Sequence, residues 1–343
     1  MIFKRESLVL NKTLENLGEF FRNISFHNPE YSNFFDSIKL AENENNWFTR
    51  KNILHAFKVW GKNLTKTNID TWLKQYRISR SDPKKILIIM PGNIPLVGLH
   101  DLLSVIITGN HALIKCSSKD SILIPFIVTL EGYISKNTSF VSGAIAENKF
   151  DAVIATGSNN SVRYFKHFFS NCPAIIRNNK TSIAVITGDE TKKDLDNLAN
   201  DLLLYYGLGC RNVSKIFVPQ GYDLFKIIKS LDHFSKVINL DKYSNNYKRN
   251  KALLTINNNK FLDNGFFLLE SNENLYSPIG SAYYEFYLDK NVVLDKIKTN
   301  MSKIQCVVSN ELSEISIPFG SAQTPMLWDY ADEIDTIDFL NKL

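Results

Sequence analysis

The feature that most constrains this 343-residue chain is a rhythm of short apolar runs alternating with helix-length stretches between residues 84 and 187. Ile86 to Met90 is continuously apolar and stops at Pro91-Gly92, the signature of a strand buried on both faces. HALIKC (111–116) is a second such run, DAVIAT (151–156) a third and SIAVIT (182–187) a fourth. Residues 97–108 and 120–135 read as helices between them, and Val162, Phe165 and Phe169 keep helical spacing after the third. Strand and helix in strict alternation imply right-handed crossovers and a doubly wound parallel sheet. Ligands on such sheets gather at the C-terminal ends of the strands, where Asn93, Lys115 and Gly157-Ser158 stand.

Ahead of this region, Trp47, Ile53, Phe57, Trp60, Leu64, Trp72, Leu73 and Tyr76 recur at three- and four-residue intervals, so residues 1–80 are expected to be helical. Ser81-Asp82-Pro83 punctuates the join. From Asp189 a second unit is expected, opening with an acidic helix start whose Leu195, Leu198, Leu202 and Tyr205 share one face. The reading is thus a helical region (1–80), a nucleotide-binding α/β domain (81–188), an α/β domain carrying Cys210 (189–319) and a closing segment (320–343) returning to the nucleotide domain. The Asn-rich stretch 244–264 is read as surface loops, and no internal repeat is visible.

Composition narrows the partners. A formal charge of +5, with Lys and Arg scattered among Asp and Glu, lacks the basic block that tracks nucleic acid, yet suits a small polyanion such as a dinucleotide or coenzyme A. The N-terminus reaches charges at once and no stretch approaches the ~18 apolar residues of a membrane span, so a cytoplasmic protein without an integral membrane segment is expected. Cys116, Cys172, Cys210 and Cys306 lie far apart, and the six histidines show no metal-ligand spacing, so neither a disulfide framework nor a metal is expected.

Cys210 is the candidate nucleophile. Gly207 and Gly209 let the backbone turn tightly and leave room for a substrate, and Arg211 places a cation that favours thiolate over thiol. A thiolate attacks acyl carbons. Cys116, Cys172 and Cys306 lie in or beside apolar sequence and are read as structural. Acyl transfer also needs donors aimed at the developing oxyanion, a role open to the Asn93 amide beside the Cys210 N–H, although Asn after Pro-Gly is commonly a plain turn residue. Lys115 is a candidate for holding a ribose or phosphate, or else a solvated strand end. Gly157 and Ser158 could present N–H groups to a pyrophosphate at a helix start. No G-x-G-x-x-G is present. His100-Asp101 is read as a hydrogen-bonding pair at a helix start.

In order, these segments resemble the aldehyde dehydrogenase superfamily. PGNIPL is similar to its P-x-N-x-P-L strand end, HALIKCSS to its G-N-x-x-V-x-K-P-S-E segment, TGS to its F-T-G-S turn, residues 191–218 to its helix, G-Q-x-C loop and S-R-x-F-V strand, and PFGSAQ to its P-F-G-G turn. Within it, GNIPLVGLHDLL, ALIKCSSKDSILIP, ATGSNNSVRYF, GLGCRNVSK, YSPIGSAYYEFY and FGSAQTP resemble the bacterial fatty-acyl-CoA reductases associated with aldehyde supply for bioluminescence. The resemblance implies an aldehyde dehydrogenase-like fold, Cys210 as nucleophile, Asn93 as oxyanion amide, Lys115 on the ribose side and Gly157-Ser158 as the pyrophosphate turn.

Departures from the superfamily carry information too. Where oxidising members have the base of E-L-G-G-K, this chain reads Ile176-Arg177-Asn178-Asn179-Lys180, with no carboxylate to activate water, which suits reduction of a thioester better than oxidation to acid. The acidic residue of K-P-S-E is replaced by Ser118, followed by Lys119, which favours a 2′-phosphate and hence NADPH over NADH. Glu273 is a candidate for the E-x-F-G-P-V carboxylate. The implied activity is reduction of a fatty acyl-CoA, or another acyl thioester, to aldehyde. The alternatives are an aldehyde dehydrogenase, an acyl-phosphate reductase, or a non-catalytic cofactor-binding subunit. A homo-oligomer or a partner enzyme supplying the acyl group is compatible with all of these.

Overall fold

A computed structural model describes residues 2–78, 82–141, 143–312 and 314–343. The expected join at residues 80 and 81 falls outside them. The chain forms two compact units: one runs to Asn178 and takes back Met326–Leu343, and the other is Asn179–Pro325.

In the first unit, four helices, α1 (Ile2–Arg22), α2 (Ser32–Glu44), α3 (Arg50–Asn63) and α4 (Lys66–Leu73), precede the sheet. Of these helices, α3 and α4 start at side-chain caps: Thr49 and Thr65 accept from Asn52 N and Asn68 N. The apolar faces of α1, α2 and α3 meet through Phe34 and Phe21, each edge-on to Phe57 with centroids 4.8 and 4.9 Å away. The sheet is built from β1 (Lys85–Ile89), α5 (Leu99–Ile107), β2 (His111–Lys115), α6 (Leu123–Leu130), α7 (Gly132–Lys136), β3 (Thr138–Phe140), β4 (Ala152–Thr156), α8 (Asn159–Phe168) and β5 (Ala174–Arg177). Its order is β3-β2-β1-β4-β5, parallel throughout. The order reverses at β1, and the crevice beside that strand is where such sheets receive ligands.

Two sequence expectations need correction. SIAVIT is not the fourth strand of this sheet: Ala174–Arg177, too short between Pro173 and Asn178 to register as a run, takes that edge, and the chain leaves the unit at Asn178. The boundary therefore lies ten residues before the expected 188. The Asn-rich stretch 244–264 is not loop either: Asp241–Ile256 form a helix and Phe261–Asp263 a strand, because apolar positions continue through it. His100 and Asp101 each reach distant partners. Asp101 is buried and accepts from Arg177 Nη1 and Nη2 at 2.6 and 2.9 Å, while His100 Nε2 lies 2.8 Å from the carbonyl oxygen of Leu327. Arg177 also donates to Thr336 Oγ1 at the start of the C-terminal helix (Thr336–Asn341), so one guanidinium joins three segments. Trp72 Nε1 donates to Tyr330 Oη, and Tyr76 Oη to Asp335, tying the same tail to α4 and the turn after it.

The second unit opens with β6 (Thr181–Val185) and α9 (Lys192–Leu203), then β7 (Val213–Pro219), α10 (Phe225–Ser230), α11 (Asp241–Ile256), β8 (Phe261–Asp263), β9 (Leu268–Ser271), β10 (Ser281–Tyr287), α12 (Lys290–Asn300) and β11 (Ile304–Val308). Its sheet runs β11-β6-β7-β10-β9-β8, parallel except for the β8/β9 pair. Ile183, Val185, Phe217, Tyr287, Val293, Ile297, Ile304 and Val307 form a core on one face. The acidic start of α9 is a reciprocal capping box between Thr191 and Asp194.

Candidate active site

The first unit gathers Asn93, Lys115, Ser118, Gly157 and Ser158 on one rim. β1 ends at Ile89, level with Lys115 of β2 and Ala155 of β4, so all three strands exit together. Gly92 is buried against the β2 exit, where a Cβ would lie 2.6 Å from Ser117 Oγ; only glycine lets the two loops close and leaves Asn93 exposed beyond them. Lys115 is half-buried and Ser118 exposed. Ser158 caps α8, its Oγ accepting from Ser161 N, and a Cβ on Gly157 would meet Ser161 Cβ at 2.8 Å, so the turn sits tight on the helix start. Behind this rim Asp120 is buried and accepts backbone N–H groups of Leu96 and Leu123. Leu96 itself is held at φ 61, a conformation L-residues seldom adopt. Burial pushes the Asp120 carboxyl up to about 7.

Cys210 belongs to the second unit. After α9, Tyr205, Tyr206 and Gly207 take three consecutive left-handed conformations (φ 55, 60 and 76), turning the chain sharply toward the cysteine. Gly209–Asn212 is then a β-turn closed by Asn212 N donating to Gly209 O at 3.0 Å, with Cys210 and Arg211 at its centre. Asn212 is buried. Its Oδ1 accepts from Gly209 N at 2.8 Å and its Nδ2 donates to the carbonyls of Asp201 (3.0 Å) and Leu204 (2.9 Å) at the end of α9. Ser182 on β6 donates to Cys210 O at 3.0 Å and accepts from Cys306 N.

Cys210 is half-buried, neither sealed in the core nor fully exposed. Burial pushes the Cys116 thiol up to about 11 and raises Cys172 as well, so those two are held as thiols. A cavity of about 120 Å³ lies against the turn, with Gly207, Gly209 and Asn212 on one side and Tyr276–Ser281 on the other. The hydroxyls around it bond within the protein: Thr181 pairs with Ser214, Ser277 donates to Ser281 O, and Tyr276 donates to Asn179 O. Glu273 is exposed just beyond β9, and Lys215, fully buried in β7, is paired with Glu285. No group of three His, Cys, Asp or Glu suited to a metal occurs among the described residues. No described helix is long and apolar enough to cross a membrane.

The family described as Acyl-CoA reductase (LuxC) matches residues 33–231, which include the rim and the cysteine turn. The chain belongs to this LuxC family. The LuxC-family chain is 24% identical over 277 residues to the long-chain acyl-protein thioester reductase of Aliivibrio fischeri, a match covering 73% of this chain and 57% of that protein. It therefore spans little more than half the length of that relative. Among solved structures it is similar to aldehyde dehydrogenase 21 of Physcomitrella patens (TM-score 0.65, 10% identity, 98% of this chain and 83% of that one). It is also similar to an aldehyde dehydrogenase of Bacillus cereus (TM-score 0.62, 11% identity, 90% and 72%). At these identities the likeness establishes the aldehyde dehydrogenase fold.

Within the LuxC-family chain, sequence reasoning missed the groups that hold the turn rather than those that line it. Asn212 carries no local signal of its role in the segment GLGCRNVSK. Asp201 carried a usable signal, an acid three residues after Leu198 on the apolar face of α9, and it is fully buried with Gly320 N and Ala322 N on its oxygens. It thereby fastens the PFGSAQ turn to the helix that delivers Cys210.

Proposed function

We propose that this LuxC-family chain reduces an acyl thioester, such as a fatty acyl-CoA, to the aldehyde through an acyl-cysteine at Cys210. The observation that carries the proposal is the placing of half-buried Cys210 at the centre of a β-turn braced by Asn212 and Ser182. In the proposed reaction Cys210 Sγ forms a bond to the acyl carbon, the bond from that carbon to the donor sulfur breaks, and the donor leaves as a thiolate. The Cys210 N–H and, by the superfamily resemblance, the Asn93 amide receive the oxyanion.

A nicotinamide cofactor held at the rim would supply the hydride for reduction to the aldehyde level, and Cys210 Sγ would leave the acyl carbon as a thiolate. The rim fits such a cofactor. The capped start of α8, with Gly157 and Ser158 before it, offers N–H groups and a positive dipole end to a pyrophosphate, and Lys115 stands at the exit of β2, where the superfamily resemblance implies a ribose-side lysine. Ser118 in place of a carboxylate, with Lys119 beside it, favours NADPH. The absence of a base supports reduction over oxidation. At the aligned position stands Ile176, and the guanidinium of the next residue, Arg177, is committed to Asp101.

The experiment combines acyl-CoA and NADPH with the purified chain and follows NADPH consumption, thiol release and intact mass. We expect one acyl adduct per chain on Cys210 and loss of both adduct and turnover in Cys210→Ala. Undiminished turnover in Cys210→Ala would remove the proposal. Acyl-CoA is compared with an acyl-carrier-protein donor in the same assay, since the relative from Aliivibrio fischeri is named an acyl-protein thioester reductase.

A further inference from the structure

We propose that Asn212 is the positioning residue of the nucleophile turn, setting the direction of the Cys210 N–H that receives the oxyanion. The inference rests on the function proposed above and adds a residue that the chemistry itself does not name. A trans peptide is planar, with its C=O and N–H pointing opposite ways. The plane linking Gly209 to Cys210 is therefore fixed once its carbonyl is fixed, and that carbonyl accepts from Asn212 N at 3.0 Å. With Gly209 O drawn toward Asn212, the Cys210 N–H is aimed away from the interior of the turn.

The side chain of the same residue prevents the turn from tilting as a whole. Oδ1 holds Gly209 N at 2.8 Å, and Nδ2 bridges to the carbonyls of Asp201 and Leu204 at 3.0 and 2.9 Å. One buried side chain thus joins the first residue of the turn to the end of α9, across the left-handed segment at Tyr205–Gly207. A left-handed run of non-glycine residues costs energy and persists only when its surroundings over-determine it. Asn212 is the anchor that does so here. Ser182, by contrast, holds Cys210 O, which belongs to the next peptide and does not orient the Cys210 N–H.

This separates two chemistries of one thiol. Alkylation by iodoacetamide is a displacement at carbon that builds no oxyanion, whereas acylation by an acyl-CoA does. In Asn212→Ala, we expect acylation of Cys210, read by rapid-quench intact mass, to slow on the order of 10²-fold, the loss typical of a mis-set oxyanion donor. Alkylation of Cys210 should stay within a factor of about 3, because thiolate character is not what the side chain supplies. Asn212→Ser, whose hydroxyl can still accept from Gly209 N, should fall between wild type and Asn212→Ala, and it decides the matter if the alanine variant does not fold. Ser182→Ala should slow acylation less than either. Parallel loss of acylation and alkylation, or loss of neither, overturns the inference while leaving the acyl-cysteine reading standing. Absence of any Cys210 adduct in the wild-type chain overturns both.

Discussion

Asp201 illustrates how a single residue ties function to conditions. It lies inside α9, fully buried, and its two oxygens accept Gly320 N and Ala322 N at 2.6 and 3.1 Å. Burial pushes its carboxyl from 3.8 up to about 7, because two backbone donors only partly offset the lost water. The sign follows directly. Between those two values the folded chain keeps a proton that the unfolded chain has released, so stability falls as pH rises through that window and levels off above it. The slope from this one group is at most about 1.4 kcal/mol per pH unit. Asp201→Asn, which cannot ionise, should therefore show a flatter dependence of Tm on pH between about 4 and 7 than the wild type, whatever its absolute stability. An unchanged slope would mean that Asp201 is ionised throughout that range.

At the scale of elements, the parallel sheet of the first unit sorts its residues by position. The middles of β1, β2 and β4 are apolar and buried, while the candidate chemistry lies at the strand ends and in the loops after Ile89, Lys115 and Thr156. Ser118 sits in the second of these, exposed and one residue past the Ser117 that packs on Gly92. Ser118→Glu returns a carboxylate to the position where the superfamily resemblance puts one, adding a hydrogen-bond acceptor for a 2′-hydroxyl and a like charge against a 2′-phosphate. The expected result is a change in the ratio of kcat/KM for NADPH over NADH of about tenfold or more toward NADH, equivalent to ~1.4 kcal/mol. An unaltered ratio would place the ribose elsewhere. The strand ends themselves were legible because a buried parallel strand must be apolar along its length and must stop at residues that break it, such as Pro91-Gly92. β3 and β5 were not, since three or four residues carry too little periodicity to separate from loop.

For the whole molecule, the largest structural commitments are ion pairs and hydrogen bonds between distant segments. Arg177 at the end of β5 reaches Asp101 on α5 and Thr336 on the C-terminal helix, all within the first unit and all buried. Removing one charge strands the other in a low-dielectric interior. Arg177→Met should destabilise the first unit by about 3–5 kcal/mol, read as an earlier denaturant transition, whereas Asp101→Leu combined with Arg177→Met should recover much of the loss. If the double variant is as unstable as the single one, packing of the three segments and not charge burial is at issue. The same segment separates what neighbouring residues record from what only the fold adds. The absence of Glu near Lys180 is a fact of the string, but the pairing with Asp101, 76 positions earlier, is a fact of the fold.

The alternation that specifies an α/β sheet, the glycines and breakers that mark strand ends, and the single cysteine set in a glycine-rich turn are all legible in the chain, because each is written in neighbours a few residues apart. Contacts between distant segments assign SIAVIT to the second sheet and the tail from Met326 to the first unit, and make Asn212, Asp201 and Ser182 the braces of the cysteine turn. Those outcomes depend on which backbone donors and acceptors are left over once strands and helices have formed. Such orphans are matched by whatever polar side chain the fold brings to them, and no local pattern records the match.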